Sequence, residues 1–156
     1  SKIDVPEENL HIPPTNLGRA EEIARAYEQD LRDFFDLNDS NEMPVFDIVL
    51  LGMGSDGHTA SLFPNGAELE ERDRLVTAVS ASPMPPHVPR ISLTVSVLQA
   101  AEQVHFLVAG ASKQPVMDAI MNDPEEAKLR YPAALVGLND NATWYVDAAA
   151  VGGSIS

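Results

Sequence analysis

The chain has 156 residues, 44 % of them hydrophobic, which is enough for one globular domain with a buried core. Its 24 acidic and 10 basic residues give a net charge of −14 at pH 7, which argues against nucleic acid or acidic lipid as a partner. The sequence has no cysteine, no signal-peptide pattern and no apolar run long enough to span a bilayer. We therefore expect a cytoplasmic protein without disulfide bonds or a membrane partner.

Hydrophobic periodicity predicts helices that alternate with strands. Residues 11–12 suit a short strand, and the clearest helix is expected to start at a cap on Asn16 and to end at Phe35. Its apolar stripe is predicted to face the core and comprises Ile23, Tyr27, Leu31, Phe34 and Phe35. Further strands are predicted at 46–51, 75–79, 91–95, 104–108 and 142–146, with shorter helices at 97–102, 113–122 and after 123. This order indicates an α/β fold with an open, mostly parallel, Rossmann-like sheet flanked by helices.

The most informative stretch covers residues 46–65 and reads FDIVLLGMGSDGHTASLFPN. A buried strand leads into a turn with three glycines, which let the backbone bend sharply and approach a ligand. These glycines are Gly52, Gly54 and Gly57. In open α/β sheets, ligands bind at the carboxyl ends of the strands. Asp56 and His58 lie in this turn, and an imidazole is the side chain that titrates closest to neutral pH.

Three known patterns compete for this turn. A dinucleotide fingerprint (G-x-G-x-x-G) needs a long helix and a later carboxylate, but Pro64 follows within two turns and the next predicted strand ends without an acid. A nucleophile elbow centred on Ser55 has the bulky Met53 where the strained turn requires a glycine. A metal site lacks a second histidine at helical spacing and any cysteine. The residues themselves therefore favour a site without a bound metal or dinucleotide.

The acid and the histidine of the turn also have a purely structural interpretation. Asp56 can cap a short helix after the turn, and His58 can be an exposed polar side chain. Capping does not explain the small, hydroxyl-bearing residues that follow, Thr59-Ala60-Ser61. Because loops held by rigid strands often carry function, we favour a functional site and leave the structural interpretation open.

Two basic residues, Arg90 and Lys113, stand apart from the charge-mixed helices. Arg90 follows a loop with four prolines, so its position is fixed at low entropic cost. Lys113 ends a glycine turn before a helix, where free backbone N–H groups suit an anion. Because the overall charge repels anions, a phosphate site has to be built locally from such cations. A strand-edge surface charge at Arg90 and an ordinary turn at Lys113 remain the alternatives.

The run LGMGSDGHTASLFP, at residues 51–64, closely resembles the signature of the 6-phosphogluconolactonase family. The segments PPHVPRISLT, VHFLVAGASK, YPAALV and ATWYVDAAA resemble further parts of that family in the same order. The related glucosamine-6-phosphate deaminases share the Asp-Gly-His core. They continue with Ile-Ala-Phe-Asn-Glu-Pro where this chain has Thr-Ala-Ser-Leu-Phe-Pro, which favours the lactonase.

The resemblance implies hydrolysis of 6-phospho-D-glucono-1,5-lactone to 6-phospho-D-gluconate in the pentose phosphate pathway, with no metal or cofactor. His58 is then the expected general base for water, and Asp56 is expected to orient it or to contact the sugar. Arg90 and Lys113 are expected to hold the substrate phosphate. The other expected substrate-binding residues are Gly52, Gly54, Gly57 and Thr59.

Two parts of the family pattern, a Gly-Gly-Ser phosphate loop and an Asp-Glu-Arg segment, are not found in this chain. We therefore expect residues 1–150 to be the C-terminal two-thirds of one sugar-phosphate lactonase domain, followed by a flexible tail at 151–156. On its own this piece is expected to be weakly active or inactive. A glucosamine-6-phosphate deaminase/isomerase and a non-catalytic sugar-phosphate-binding module on the same fold remain as alternatives, and the oligomeric state is left open.

Overall fold

The computed structural model describes residues 5–79 and 83–153. Over these ranges the strands are β1 (Ile48–Gly52), β2 (Val76–Val79), β3 (Arg90–Leu93), β4 (Gln103–Val108) and β5 (Ala142–Val146). Strands β1, β4 and β5 form a parallel sheet with β4 in the middle, while β2 and β3 form a separate antiparallel ribbon. The predicted α/β fold with a mostly parallel sheet is thereby confirmed.

The helices of the described part of the chain are α1 (Ala20–Phe34), α2 (Val95–Ala100), α3 (Gln114–Asn122), α4 (Pro124–Arg130) and α5 (Pro132–Gly137). Short 3-10 helices lie at Ala67–Glu70, Ala111–Lys113 and Ala148–Val151, among others. Pro124 and Pro132 occupy the first positions of their helices, where the missing N–H has no intrahelical partner to lose. None of the helices in the described ranges is long and apolar enough to cross a membrane.

The first helix begins later than the sequence predicts. Asn16 lies in a short 3-10 helix, and Gly18 follows with φ of +98°, a conformation that interrupts helical hydrogen bonding. Helix α1 starts at Ala20, and the preceding Arg19 makes no side-chain cap. The prediction that Asn16 caps this helix is therefore wrong.

The apolar stripe of α1 is mostly buried, as predicted, with one exception. Ile23 and Leu31 face the core, but Phe34 is 57 % exposed. Phe34 is the last residue of the helix and lies against the rings of Phe35 and His11, at centroid distances of 5.1 and 4.4 Å. The predicted core position of Phe34 is therefore wrong, because the helix ends at the margin of the core.

Two hydrophobic clusters hold the domain together. The larger one lies between the sheet and helices α2, α3 and α5, and it includes the three buried residues of β4, Val104, Phe106 and Val108. Trp144 of β5 stacks on Phe106 at 4.2 Å and donates a 2.8 Å hydrogen bond from Nε1 to the carbonyl of Gly137. The smaller cluster joins α1 to the β2–β3 ribbon. Trp144 thus packs against the larger cluster.

The opposite face of the parallel sheet is not covered by the described residues. Four large apolar side chains on this face are more than half exposed, namely Ile48, Leu50, Leu107 and Tyr145. The alternation of exposed and buried residues along β4 is the pattern of a strand buried on one face only. Parallel sheets in soluble domains are usually buried on both faces. The strands therefore carry apolar side chains on both faces, but the described residues bury only one of these faces.

Two smaller expectations differ from the structure, and a third lies partly outside the described residues. Residues 11–12 are not a strand, and β1 begins two residues after the predicted start at 46. Of the predicted tail, only 151–153 lie in the described ranges, and Val151 belongs to a 3-10 helix that packs beside α3. The division at residue 150 and the flexibility of the tail stay predictions.

Candidate functional site

The candidate site is built on the turn that follows β1. The Gly54 N–H donates to the His58 carbonyl at 2.8 Å, and the Gly57 N–H donates to the Gly54 carbonyl at 3.1 Å. The Thr59 hydroxyl donates to the Gly52 carbonyl at 2.9 Å. These three bonds join the end of the strand to the far side of the turn, so the loop is closed by its own backbone and does not depend on a bound ligand.

Asp56 and His58 form the central pair of this turn. Asp56 Oδ1 lies 2.6 Å from His58 Nδ1 and also accepts the His58 backbone N–H at 3.2 Å. Both side chains are about three-quarters buried. No helix follows the turn, so Asp56 does not cap one, and the structural interpretation of Asp56 as a helix cap is wrong. Its carboxylate instead fixes the orientation of the imidazole.

The ring orientation leaves one nitrogen of His58 available. With Nδ1–H donated to the carboxylate, Nε2 is the unprotonated acceptor of the neutral imidazole. Nε2 has no hydrogen-bond partner within residues 5–79 and 83–153. Phe63 packs against the ring at a centroid distance of 4.7 Å and is itself buried. The imidazole is therefore held on one side by a carboxylate and on another by an aromatic ring.

Gly54 is required by the Asp56–His58 pair. A Cβ atom at Gly54 would lie 2.5 Å from Asp56 Oδ1 and would overlap the Nδ1 and Cε1 atoms of His58. The pair thus occupies the space that any other residue at position 54 needs for its side chain. Gly57 has a different role, because its φ of +84° is a left-handed conformation and its carbonyl accepts the Ala133 N–H at 2.9 Å.

The segment after His58 ties the turn to the rest of the domain. Thr59 pairs with Leu62 through two backbone hydrogen bonds of 3.3 and 2.9 Å, and Ala60 between them has φ of +49°. The Ser61 N–H donates to the hydroxyl of Ser92 on β3 at 3.2 Å. Thr59 is 1 % exposed, and its hydroxyl is already used on the turn. The structure thus places Thr59 beneath the site, and its contact with substrate stays a prediction.

A cleft of about 460 Å³ opens above the turn and brings together four of the predicted site residues. They are Gly52, Gly54, His58 and Lys113. The parallel register explains why these residues share one cleft. Gly52 of β1 pairs with Leu107 of β4, so the two strands end on the same edge of the sheet. Lys113 follows β4 by five residues, is partly buried and forms no ion pair with any residue that the structure describes. The cleft thus combines an oriented imidazole with one uncompensated cation.

The glycine turn before Lys113 differs from its prediction. The Gly110 N–H is not free for an anion, because it donates to both carboxylate oxygens of Asp147, at 3.0 and 3.1 Å. Asp147 is not among the residues predicted for the site; it lies 37 residues away from Gly110 in the chain and immediately after β5. The sequence signals that could have found it are its place at the end of a strand whose carboxyl end meets that of β4, and its place within ATWYVDAAA, one of the segments that resemble the family.

The structure does not bring Arg90 into the cleft of His58. Arg90 opens β3 and lines a separate cavity of about 270 Å³ beside the start of α1. Its Nε is buried without a hydrogen-bond partner among the described residues, while Nη2 donates to the Pro86 carbonyl at 3.4 Å. Strand alternation puts Arg90 on the same face of the ribbon as Ser92, which contacts the segment after His58. A role of Arg90 in phosphate binding stays a prediction.

A second, larger cavity is a poorer candidate for an anionic ligand. It measures about 740 Å³, and its lining includes Phe63 but neither His58 nor Lys113. Its lining includes the acidic residues Glu68, Glu70, Glu71 and Asp73 and only one basic residue, Arg72. Because like charges in a shared cavity repel, a phosphorylated sugar is disfavoured there. The smaller cleft with His58 and Lys113 is chemically the better site.

Comparison with known proteins bears on this site. A sequence model of the family described as glucosamine-6-phosphate isomerases/6-phosphogluconolactonase matches residues 1–145. A 6-phosphogluconolactonase of Synechocystis sp. is 39 % identical over 146 residues, which cover 94 % of this chain and 58 % of the relative. The human 6-phosphogluconolactonase is 40 % identical over 151 residues, covering 96 % of this chain and 56 % of the human protein.

A solved structure is also similar to this chain. The 6-phosphogluconolactonase from Trypanosoma cruzi superposes with a TM-score of 0.80 and 30 % sequence identity, covering 96 % of this chain and 61 % of that one. The chain therefore spans less than two-thirds of each of these three proteins.

Proposed function

Because the chain belongs to the glucosamine-6-phosphate isomerase/6-phosphogluconolactonase family, we propose that the protein it belongs to hydrolyses 6-phospho-D-glucono-1,5-lactone to 6-phospho-D-gluconate. This reaction is a step of the pentose phosphate pathway. Relatives named 6-phosphogluconolactonase in a cyanobacterium and in human support this activity. One structural observation carries the proposal, namely an imidazole oriented by a carboxylate in the same cleft as an unpaired lysine.

His58 is the proposed general base. Its Nε2 takes a proton from a water molecule as the water oxygen attacks the lactone carbonyl carbon. When the tetrahedral intermediate collapses, the C1–O5 ester bond breaks and the imidazolium returns the proton to O5, which becomes the C5 hydroxyl; the new carboxylic acid then releases its proton to solvent. Asp56 keeps the imidazole in the tautomer that leaves Nε2 unprotonated and stabilises the imidazolium once the proton has moved. A six-membered lactone is an activated ester, so one positioned base, with a typical contribution of about 10²–10⁴-fold, suffices for the chemistry.

Backbone N–H groups of the turn are the proposed donors to the carbonyl oxygen. The amides of Gly54 and Gly57 are engaged within the turn, so they cannot serve. The amides of Ser55 and Asp56 have no acceptor in the part of the chain that the structure describes, and they lie between the engaged ones. Donors fixed before the reaction stabilise the developing oxyanion without further reorganisation. The proposal therefore places the lactone carbonyl over residues 55–56.

Lys113 is the proposed anchor for the substrate phosphate. It lines the cleft of His58 as a cation without an ion-pair partner among the described residues, in a chain whose overall charge of −14 repels anions. Holding the phosphate positions the sugar ring over the base, which converts part of the binding energy into orientation. We include Arg90 as a second phosphate ligand, supported by its unpaired, buried Nε and by the family resemblance of its segment.

Three further features belong to this proposal. The substrate is a free sugar phosphate, and nucleic acid is excluded as a partner by the charge of the chain. The protein acts in the cytoplasm, which the absence of cysteine supports. No metal or cofactor takes part, because a general base and fixed donors account for ester hydrolysis.

The test is a lactone-hydrolysis assay with the spontaneous rate subtracted, applied to this chain and to the whole polypeptide that contains it. The expected result is turnover by the whole polypeptide, which His58→Ala abolishes while the affinity for 6-phosphogluconate is retained, and little or no turnover by this chain alone. His105→Ala is the matched control, because His105 lies on the uncovered face of the sheet and should leave the rate unchanged. Release of ammonia from glucosamine 6-phosphate would favour the deaminase instead. Binding without turnover, even in the whole polypeptide, would indicate a non-catalytic module.

A further inference from the structure

Asp147 joins the two loops that follow the central strands. Its backbone N–H donates to the Val108 carbonyl at 3.1 Å, which extends the β4–β5 pairing by one step. Its carboxylate accepts the Gly110 N–H from the loop after β4, at 3.0 and 3.1 Å, and the Ala150 N–H from the loop after β5, at 2.8 Å. One side chain thus fixes two loops at the carboxyl edge of the sheet, where the cleft lies.

The loop held in this way carries Lys113. Gly110 has φ of +96°, and its carbonyl accepts the Lys113 N–H at 3.0 Å, which closes the 3-10 turn Ala111–Lys113. A hydrogen bond to the amide of Gly110 therefore sets the direction in which this turn leaves the strand. No other side chain bonds to the backbone of residues 109–113 in the part of the chain that the structure describes. The Asp147 carboxylate is thus linked, through one backbone amide, to the turn that carries Lys113.

The negative charge of Asp147 bears on why an acidic residue occupies this position. A carboxylate beside an anion-binding lysine weakens anion binding by repulsion, so electrostatics alone disfavours an acid at this position. A charge-assisted hydrogen bond from an amide to a carboxylate is stronger than a neutral one. In this arrangement, the hydrogen bond that positions the loop therefore outweighs the repulsion between the Asp147 carboxylate and a bound anion.

We propose that Asp147 is a positioning residue that holds Lys113 in the cleft and so determines the affinity of the site for the phosphate group of its ligand. The identity of that ligand as a sugar phosphate depends on the function proposed above. The role of Asp147 acts through the Gly110 amide and the 3-10 turn, without contact between its carboxylate and the ligand.

Equilibrium binding of inorganic phosphate and of 6-phosphogluconate, measured by calorimetry on the full chain, separates positioning from electrostatics. Positioning predicts that Asp147→Ala weakens binding of both probes by about tenfold, the loss expected for one charge-assisted hydrogen bond. Asp147→Asn keeps an acceptor oxygen and loses the repulsion, so it should bind at least as tightly as the parent. If Asp147→Ala also binds more tightly, repulsion is the dominant effect and the proposal is wrong.

A matched control separates positioning from a general loss of stability. Asp123 caps α4 by accepting the Glu126 N–H at 3.2 Å, and it lies at the far end of α3 from Lys113, about 15 Å away along the helix. Asp123→Ala removes a comparable cap and should leave phosphate affinity unchanged. Equal weakening by Asp123→Ala and Asp147→Ala would overturn the proposal. In case Asp147→Ala does not fold, Gly110→Ala is the second variant, because its left-handed φ disfavours a side chain while open space surrounds the position. It should weaken binding to the same extent.

The double variant Lys113→Ala/Asp147→Ala distinguishes failure of this inference from failure of the proposed function. If Lys113→Ala alone leaves phosphate affinity unchanged, the lysine is not the anchor and the proposed function loses its support. If Lys113→Ala weakens binding, positioning predicts that Asp147→Ala has no further effect in that background. Additive losses would show that Asp147 acts independently of Lys113, which contradicts the inference.

Discussion

Replacing Gly54 by alanine tests whether the turn after β1 is shaped around the Asp56–His58 pair. The added Cβ would lie 2.5 Å from Asp56 Oδ1 and overlap the imidazole, so the 2.6 Å bond between the two side chains has to open. A hydrogen bond to a charged group contributes about 1.5–3 kcal/mol. If all of that orientation is lost from the transition state, the rate falls by roughly 10- to 150-fold.

Two measurements check this expectation. The first is kcat for lactone hydrolysis in Gly54→Ala, and the second is the ¹⁵N signal of the His58 imidazole, which reports the hydrogen bond at Nδ1. Gly52→Ala is the matched control, because a Cβ there meets only the Leu107 carbonyl at 3.9 Å, an ordinary contact. It should leave the imidazole signal unchanged. An unaltered imidazole signal and parental kcat in Gly54→Ala would refute this account of the turn.

Three other changes test separate parts of the structure. Asp56→Ala should lower kcat about 10²-fold with little change in KM, since the carboxylate orients the base and does not bind the phosphate. A parallel rise in KM would instead assign Asp56 a contact with the sugar. Burial raises the pKa of Tyr27, and the charge of Asp30 raises it further. A folded-state pKa above the unfolded one means that stability falls as pH rises above about 10. Tyr27→Phe should reduce this alkaline loss in urea unfolding at pH 8 and 10.5, and an identical loss would contradict the assignment. Trp144→Phe keeps the stack on Phe106 but leaves the buried carbonyl of Gly137 without its donor. Its free energy of unfolding should fall by about 1–3 kcal/mol, and no change in urea unfolding would show that this carbonyl finds another donor.

The strands could be predicted from the sequence because their apolar runs are short and bounded by turn residues. The parallel pairing of β1, β4 and β5 then explains the meeting of His58 with Lys113. Both follow strands whose carboxyl ends share one edge of the sheet. A local motif and one topological rule were sufficient for this part of the site.

Other features depend on contacts between distant parts of the chain. Asp147 and its partner Gly110 lie 37 residues apart, so the contact exists only once β4 and β5 have paired. Charge alone predicts that Arg90 and Lys113 act together, but Arg90 lies on the separate antiparallel ribbon and lines another cavity. Charge and composition do not determine which cavity a cation reaches.

The start of α1 depends on a local backbone conformation that hydrophobic periodicity does not detect. Asn16 is a good cap by residue type, yet the positive φ of Gly18 separates it from the helix. The apolar residues Leu50 and Leu107 show a different limit. Their sequence pattern is that of a strand buried on both faces, whereas the described residues cover one face only. Burial is a property of the assembled layers and is not encoded by the strand alone.

The central claim is that His58 is the base and Lys113 the phosphate anchor of one lactonase site. The most direct measurement is lactone hydrolysis by the whole polypeptide as the parent, His58→Ala and Lys113→Ala, with 6-phosphogluconate affinity measured on the same samples. We expect His58→Ala to lose turnover but keep its affinity for 6-phosphogluconate, and Lys113→Ala to lose that affinity. Parental turnover in His58→Ala would contradict it.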